Sequence, residues 1–529
     1  MKSSPYENNP YTSSSEAPTQ PLPPAPSLPA GRGEAVLALL LALLAAFTAN
    51  SLLYGGLALG SALGILGIFT VTALYLLIKS KHFGWYPLSC LAFSLILVAS
   101  FARSSDGFVK FCLLLLALTA YFLGLSQIVW APLYPAGRLR SLNGAGRALF
   151  LAPYPQISPA VRGLFVKQTP EGTQRRRVGG VLLGLLLAIP ALAIILPLLV
   201  RSDAAFEGLI GRSVLANAAE LIPTVLFGLM LFLPAYARPV ALIHDDPEPS
   251  PAKPGRFPPV TLHTFLGAVS FVYLLYLFSQ LAYFFSAFRG ILPEGYTQAE
   301  YARRGFFEMC ALCSINLLMV IIAIGQVRRE PKTPWLTKAL CLFILVFSLV
   351  LAVCSASKMG MYIGAYGLTR LRVLTSVFMV CVAVALVCVA IWILAPRFPY
   401  MQIVVLAVLA VGCFTGWMDV DTQVARYNVD AYLSGQLTTV DVDHLGGLSE
   451  GAVPQLARLL EAPDPQVQAE ARAALADMLR EHYRVDWENG AIVLEPWEEP
   501  LLRSWTWTQS QALPLLEALA PKLQAELQE

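Results

Sequence analysis

The sequence predicts an all-α fold: a polytopic transmembrane helical bundle of about 11 spans, followed by a small, mostly helical soluble domain at the C-terminal end. Three observations predict it. Charged residues make up only 13% of the 529 and hydrophobic ones 56%, whereas a soluble chain carries roughly 25% charge. Mean hydropathy is +0.62, because apolar stretches of about 20 residues, enough to cross ~30 Å of hydrocarbon, recur along most of the chain. The charge is also split: from Met418 onward there are 19 acidic against 7 basic residues, which leaves 15 acidic and 30 basic residues in the remainder. Basic loops orient apolar spans, and an acidic tail suits a separately solvated unit.

Residues 1–30 form a Pro/Ser/Asn-rich leader, including Pro21–Leu22–Pro23–Pro24. This composition cannot bury a core and reads as disordered. It lacks the basic start of a signal peptide, so the first span is expected to be retained. The membrane domain, residues 31–417, then holds eleven candidate spans: 35–53, 57–78, 85–100, 111–134, 178–200, 221–236, 262–285, 306–324, 336–354, 373–394 and 401–417. Gly56, Gly60 and Gly64 follow a small-x-x-x-small spacing, which lets two backbones approach closely.

Orientation follows from Lys and Arg in short loops. The loop 136–177 carries Arg138, Arg140, Arg147, Arg162, Lys167, Arg175, Arg176 and Arg177 against the single acid Glu171, which places it in the cytoplasm. Counting spans outward puts the N-terminus inside. The loops 201–218, 286–305 and 357–372 and the domain 418–529 fall outside. Loop 357–372 resists the rule, with Lys358, Arg370 and Arg372 and no acid; a binding role is one reason for such a departure. The stretch 139–167 mixes arginines with Leu149, Phe150, Leu164 and Phe165, and reads either as an interfacial segment facing anionic headgroups or as an orienting loop only.

In the tail, Val453–Leu460 and Val467–Leu479 each show i, i+3, i+4 apolar spacing, separated by Pro463–Asp464–Pro465. They read as one helical hairpin. Trp487, Trp497, Trp505 and Trp507 add an aromatic patch, read first as packing. All nine cysteines lie in apolar segments, so no disulfide framework is indicated, and Cys310-x-x-Cys313 reads as packing.

Three polar clusters map to the outer side. The first, Gly295–Glu308, contains Tyr301, Arg303 and Arg304, with Glu300, Arg304 and Glu308 at intervals of four. Glu308 would sit at or just below the membrane surface, where charges tend to be paired or functional. The second, Ser357–Arg372, places Lys358, Tyr362 and Tyr366 on one helical face, next to Arg370 and Arg372. Ser355-x-x-Lys358 matches a serine–lysine catalytic spelling, but the α/β domain and the other signatures that motif needs are absent. The third holds Asp419, Asp421, Arg426, Asn428, Asp430 and Tyr432. Asp419-x-Asp421 has a carboxylate spacing found at divalent-cation sites, but two acids alone read first as solvated or as partners of Arg370 and Arg372. The five histidines show no ligand spacing, so no metal site is predicted. No nucleotide loop, zinc-protease or serine-hydrolase motif occurs, and nothing points to nucleic acid.

The runs Glu300–Glu308 (EYARRGFFE), Tyr362–Arg372 (YIGAYGLTRLR) and Asn428–Leu433 (NVDAYL), followed by Val440–Asp441–Val442 and Ala452–Val453–Pro454, resemble the bacterial membrane family catalogued as DUF4173, related to DUF4153, over about residues 180–460. The resemblance implies a multi-pass protein of the bacterial cytoplasmic membrane and supplies no activity or cofactor. The expectation is therefore an outward-facing polar site for an anionic envelope component such as a lipid-linked phosphate. Arg303, Arg304, Lys358, Arg370 and Arg372 would hold the anion, helped by Tyr301, Tyr362, Tyr366, Arg426, Asn428 and Asp430. Glu308, Asp419 and Asp421 would be acid/base or cation-holding groups. A secondary transporter and a non-catalytic sensor or scaffold are the alternatives.

Overall fold

The structure, a computed structural model, describes residues 31–80, 84–131, 133–135, 140–151, 153–165, 212–244, 258–288, 306–327, 334–488, 491–497 and 502–528, besides the single position 195. The predicted leader and, apart from position 195, the predicted span 178–200 lie outside these residues.

Ten described helices are long and apolar enough to cross a membrane. In chain order they are α1 (Arg32–Gly55), α2 (Leu59–Lys79), α3 (Trp85–Ala99) and α4 (Gly107–Trp130), then α7 (Arg212–His244), α8 (Pro259–Phe288) and α9 (Phe306–Val327), and last α10 (Trp335–Tyr366), α11 (Arg370–Leu394) and α12 (Tyr400–Met418). Between α4 and α7 lie the shorter α5 (Arg140–Gly146) and α6 (Pro153–Phe165). Large apolar side chains such as Leu39, Ile78, Val260 and Phe278 stay exposed on the helices. Water would not tolerate that many, and a lipid bilayer accepts them.

Side-chain contacts show which helix ends lie together. Glu34, near the start of α1, meets Lys79 at the end of α2 at 3.1 Å, and it also accepts from Tyr75. In the same region Ala160 of α6 packs with Leu37 and Tyr236. At the opposite end of the bundle, Tyr54 donates to the Glu220 carbonyl. Residues 160 and 220, which flank the undescribed predicted span, therefore lie on opposite sides of the bundle. His263 at the start of α8 meets Thr337 at the start of α10 at 2.7 Å, which places both starts on one side of the bundle.

Gly60 and Gly64 let α2 close onto α1, where added Cβ atoms would collide with Ser51 and Thr48. Gly56 stands in the break between the two helices. The helix α10 differs from the expected span 336–354. It runs to Tyr366, so most of the expected loop 357–372 is helical and only Gly367–Thr369 connects it to α11. Thirty-two residues at 1.5 Å each exceed the ~30 Å hydrocarbon core by more than half.

The C-terminal domain follows α12 directly. It comprises α13 (Val420–Leu433), α14 (Val442–Gly446), α15 (Val453–Leu459), α16 (Pro465–His482), a hairpin of β1 (Tyr483–Glu488) and β2 (Ala491–Pro496), then α17 (Trp507–Leu519) and α18 (Gln524–Gln528). The hairpin pairs antiparallel, with Tyr483 opposite Pro496, Val485 opposite Leu494 and Trp487 opposite Ile492. One continuous apolar core runs from α2–α4 and α12 through α13 into α14–α18; a second joins α8 to α12. The domain is thus packed onto the bundle and not tethered beside it.

Candidate functional site

The connection between α10 and α11 is the centre of the polar architecture. Gly367 has φ +72 and ends α10; a Cβ there would strike Asn428 Oδ1. Thr369 caps α11 by accepting from Arg372 N–H at 3.3 Å. Asn428, on α13, accepts from Leu368 N–H at 2.6 Å and donates to the Leu368 carbonyl at 2.9 Å. The connection is thereby stitched to the C-terminal domain.

Arg370 and Arg372 sit two positions apart on α11, roughly 200° around the helix, and so diverge. Arg370 grips Asp421 in a fork, Nε to Oδ1 at 2.5 Å and Nη2 to Oδ2 at 2.6 Å. Its Nε also lies 3.2 Å from Asp106 Oδ2. Asp421 is fully buried and accepts Ser449 N–H at 2.8 Å. Burial pushes its carboxyl up, but the Arg370 guanidinium and the Ser449 N–H outweigh that and hold it below the usual carboxylate range. Arg372 turns the other way. It caps α10 by donating to the carbonyls of Tyr366, at 2.9 Å, and Gly367, and lies over the Tyr362 ring at 4.0 Å. Tyr362 and Tyr366 meet edge to face at 5.3 Å. Lys358, one turn earlier, lies within electrostatic reach of Glu308 in the first turn of α9. Tyr301, Arg303 and Arg304 lie outside the described residues.

Asp419 is the one-residue kink between α12 and α13, at φ +56. Its Oδ2 accepts from Thr422 and Thr508 hydroxyls, both at 2.8 Å. Thr508 lies in the first turn of α17, just after a strap, residues 503–506, that crosses the end of the bundle. The Trp505 carbonyl accepts Leu59 N–H at 3.0 Å, Thr508 N–H donates to the Arg103 carbonyl at 3.3 Å, and Arg503 lies over Tyr54. Trp505 and Trp507 stand beside Trp417 and Arg103 around a recess of about 450 Å3.

Two hollows flank these contacts. The first, about 350 Å3, is walled by Ser105, Asp106, Arg370, Ser449, Glu450 and His482. His482 Nε2 lies 3.2 Å from Glu450 Oε1. Burial pushes the Glu450 carboxyl up, but His482, its own backbone and Ser105 outweigh it and lower it. The second is an apolar groove of about 650 Å3 between α10, α11 and α12, walled by Leu368, Val373, Val377, Val380, Val411 and Phe414. Gln423, Arg426, Tyr427 and Asp430 of α13 form its polar end. Asp430 serves two arginines, Arg458 at 2.7 Å and Arg426 at 3.7 Å.

Sequence reasoning missed Asp106, Glu450 and His482. Asp106 shows only the Asp-Gly of a helix start, with its carboxylate accepting from Phe108 and Val109 N–H. It also missed a neutral chain between the bundle helices: Tyr273 donates to Asn316 at 2.6 Å, and Asn316 to Ser348 at 2.9 Å. Among the described residues, no group of three or more His, Cys, Asp or Glu is arranged to hold a metal ion.

No curated protein and no solved structure matches the chain. A family model does, over residues 90–459, which takes in Asp106, Arg370, Asp421, Asn428 and Glu450. It is the relative of the family that the three sequence runs resemble, and the match begins about 90 residues before the stretch that those runs suggest. With well over half of its length covered, the chain belongs to the DUF4153 family, whose model is described as a domain of unknown function.

Proposed function

We propose that this integral membrane protein binds an anionic amphiphile, such as a lipid-linked phosphate, on the side that carries the C-terminal domain. In this reading the apolar tail lies in the groove between α10, α11 and α12, and the anionic head meets Arg426. One observation carries it: an apolar groove within membrane helices ends at Arg426 and Asp430, and Asp430 is engaged more closely by Arg458, at 2.7 Å, than by Arg426, at 3.7 Å. Arg458 neutralises Asp430 from outside the groove, which leaves Arg426 as the cation at its mouth. Arg426 is held only loosely at 3.7 Å and is 65% exposed, so its fork remains available to a phosphate. Lys358 and Arg372 add cationic character to the same boundary. Arg370 and Asp421 are spent on each other, and Asn428 on Leu368, so they brace the site.

The same reading takes the N-terminus as cytoplasmic and the C-terminal domain as extracytoplasmic, in a bacterial cytoplasmic membrane. It assigns binding and no bond-making step. A proton-transfer role for Glu308, Asp419 or Asp421 needs one of them within reach of the bound head, and Glu308→Gln tests the one that is exposed.

The test is lipid retention in native mass spectrometry of the full chain, with phosphatidylglycerol against phosphatidylcholine as probes. Wild type should retain the anionic lipid preferentially, and Arg426→Ala should lose that preference. Equal retention of both lipids by wild type would overturn the proposal. A second reading, a non-catalytic scaffold, is favoured by the internal pairing of Arg370, Arg372 and Asn428. The transporter reading calls for ionisable groups near the midplane, and the Tyr273–Asn316–Ser348 chain is uncharged.

A further inference from the structure

The hollow beside Arg370 is chemically unlike the lipid groove. Its walls come from three distant stretches: Ser105 and Asp106 before α4, Arg370 at the start of α11, and Ser449, Glu450 and His482 of the C-terminal domain. It lies where bundle and domain meet. Negative charge dominates it. Asp106, Glu450 and Glu481 line it, and Asp421 stands behind Arg370. Against these four carboxylates stand Arg370, His482 and the buried Lys110, whose Nζ is directed to the Leu57 carbonyl. The sum is −1 with His482 protonated and −2 with it neutral. An anion is therefore disfavoured here, in contrast to the groove.

Asp106 supplies an independent sign of what is missing. It is only 4% exposed. Its Oδ1 accepts the Phe108 and Val109 N–H groups, but Oδ2 is shut off from solvent and has no hydrogen-bond donor. The nearest cation, Arg370 Nε at 3.2 Å, has its one N–H committed to Asp421 at 2.5 Å. Asp106 thus receives charge from Arg370 without a hydrogen bond. A buried carboxylate oxygen in that state calls for a donor.

We propose that this cavity binds a primary ammonium group, presented by a small free amine or by the headgroup of an aminophospholipid. An R–NH3+ group brings three donors and one positive charge, which answers the undonated Asp106 Oδ2 and the excess negative charge, with Glu450 in the cavity wall as a second acceptor. A metal ion fits less well, because the described acids and His482 ring the space without gathering at ligating distance. A volume of about 350 Å3 lies at the lower end of the roughly 300–1,000 Å3 range of small-molecule pockets. The placement also suits a headgroup, since Asp106 and Arg370 stand at the first turns of membrane helices. The proposal does not depend on the lipid groove.

The experiment follows thermal unfolding of the full chain in phosphatidylcholine nanodiscs during titration with ethylammonium chloride, against tetramethylammonium chloride at equal ionic strength. Tetramethylammonium has the charge but no N–H. Ethylammonium should raise Tm saturably and tetramethylammonium should not. Asp106→Asn, which keeps the helix cap, should require at least tenfold more ethylammonium for the same shift. If that variant fails to fold, Glu450→Gln should show the same weakening. Phosphatidylethanolamine nanodiscs separate the sources. A Tm already raised there, with no further effect of ethylammonium, identifies the lipid headgroup; an unchanged titration identifies a free amine. A cavity that holds only water, or responds only to ionic strength, would show no shift in either nanodisc or equal shifts with both cations. Either result overturns the proposal, as does a shift that survives both substitutions.

Discussion

Asn428 closes both backbone groups of Leu368 with one side-chain amide, accepting the N–H at 2.6 Å and donating to the C=O at 2.9 Å. The pair is 60 residues apart in sequence and joins the three-residue connection between α10 and α11 to the first helix of the C-terminal domain. A side-chain amide carries a donor and an acceptor on one planar group, and Asn428 is 6% exposed, so water cannot replace it freely. Asn428→Ala should destabilise the protein by about 2–3 kcal/mol, since a buried group left without its partner costs roughly 1–3 kcal/mol. Asn428→Asp should do nearly as much harm, because it keeps the acceptor but sets a negative charge against the Leu368 carbonyl. Thermal unfolding in detergent or nanodiscs measures both. A loss below about 0.5 kcal/mol in each, the ordinary effect of a surface change, would mean that the stitch is dispensable.

Arg370 and Asp421 test how the domain is held. Arg370→Lys keeps the charge and loses the fork. It should release the C-terminal domain to protease more readily than wild type, while Asp421→Asn should do so more strongly, because it leaves Arg370 facing Asp106 alone. Breaking a buried pair by removing one partner costs about 3–5 kcal/mol; the lower end applies here, since Arg370 keeps a third of its side chain exposed. Limited proteolysis between α12 and α16 is the readout. Equal cleavage rates in wild type and both variants would contradict the clamp.

The same residues set an acid limit. Asp421 and Glu450 are both held below their ordinary values in the folded chain. A carboxyl with a depressed folded pKa contributes stability that is fully present above its unfolded value, about 3.9 for Asp and 4.3 for Glu, and is lost as pH falls through the folded value. Domain docking should therefore be flat from neutral pH to about pH 5 and weaken below about pH 4. Asp421→Asn should start lower and show a shallower acid limb. Measuring Tm from pH 7 to pH 3 decides it; parallel acid limbs in both proteins would exclude Asp421 as a contributor.

Much of this architecture was legible from residue pattern. Runs of apolar residues located all ten described spans, because a helix needs about 20 mainly apolar residues to cross the hydrocarbon. Arg370, Asp421 and Asn428 stood out because charge and amide flank spans against the trend. Their partners did not. Asp106 lies more than 260 residues from Arg370 in a short polar turn, and only tertiary packing brings the two within 3.2 Å. The hairpin was also missed, although Tyr483, Val485 and Trp487 alternate with Arg484, Asp486 and Glu488, and Asn489–Gly490 separates the strands in sequence. That is a strong hairpin spelling, overlooked beside the helical periodicity that precedes it. The extension of α10 to Tyr366 was hidden for a different reason: its last turns are polar enough to read as loop, and Arg372 supplies the C-terminal cap from outside the helix.

The lipid groove separates head from tail, and its two parts can be perturbed independently. Val377 lines the groove away from Arg426 and is half-buried, so Val377→Trp should fill part of the 650 Å3 without touching the charged mouth. If an acyl chain occupies the groove, this variant should lose phosphatidylglycerol and phosphatidylcholine alike, since both present the same tail. Arg426→Ala should lose only the preference for the anionic lipid, and raising salt from about 0.1 to 1 M should erase that preference in wild type, because screening shortens the reach of an exposed charge from ~10 Å to ~3 Å. Retention measured for the three proteins at two salt concentrations gives the full pattern. Should Val377→Trp leave retention of both lipids unchanged, the tail does not lie between α11 and α12, whatever Arg426 does.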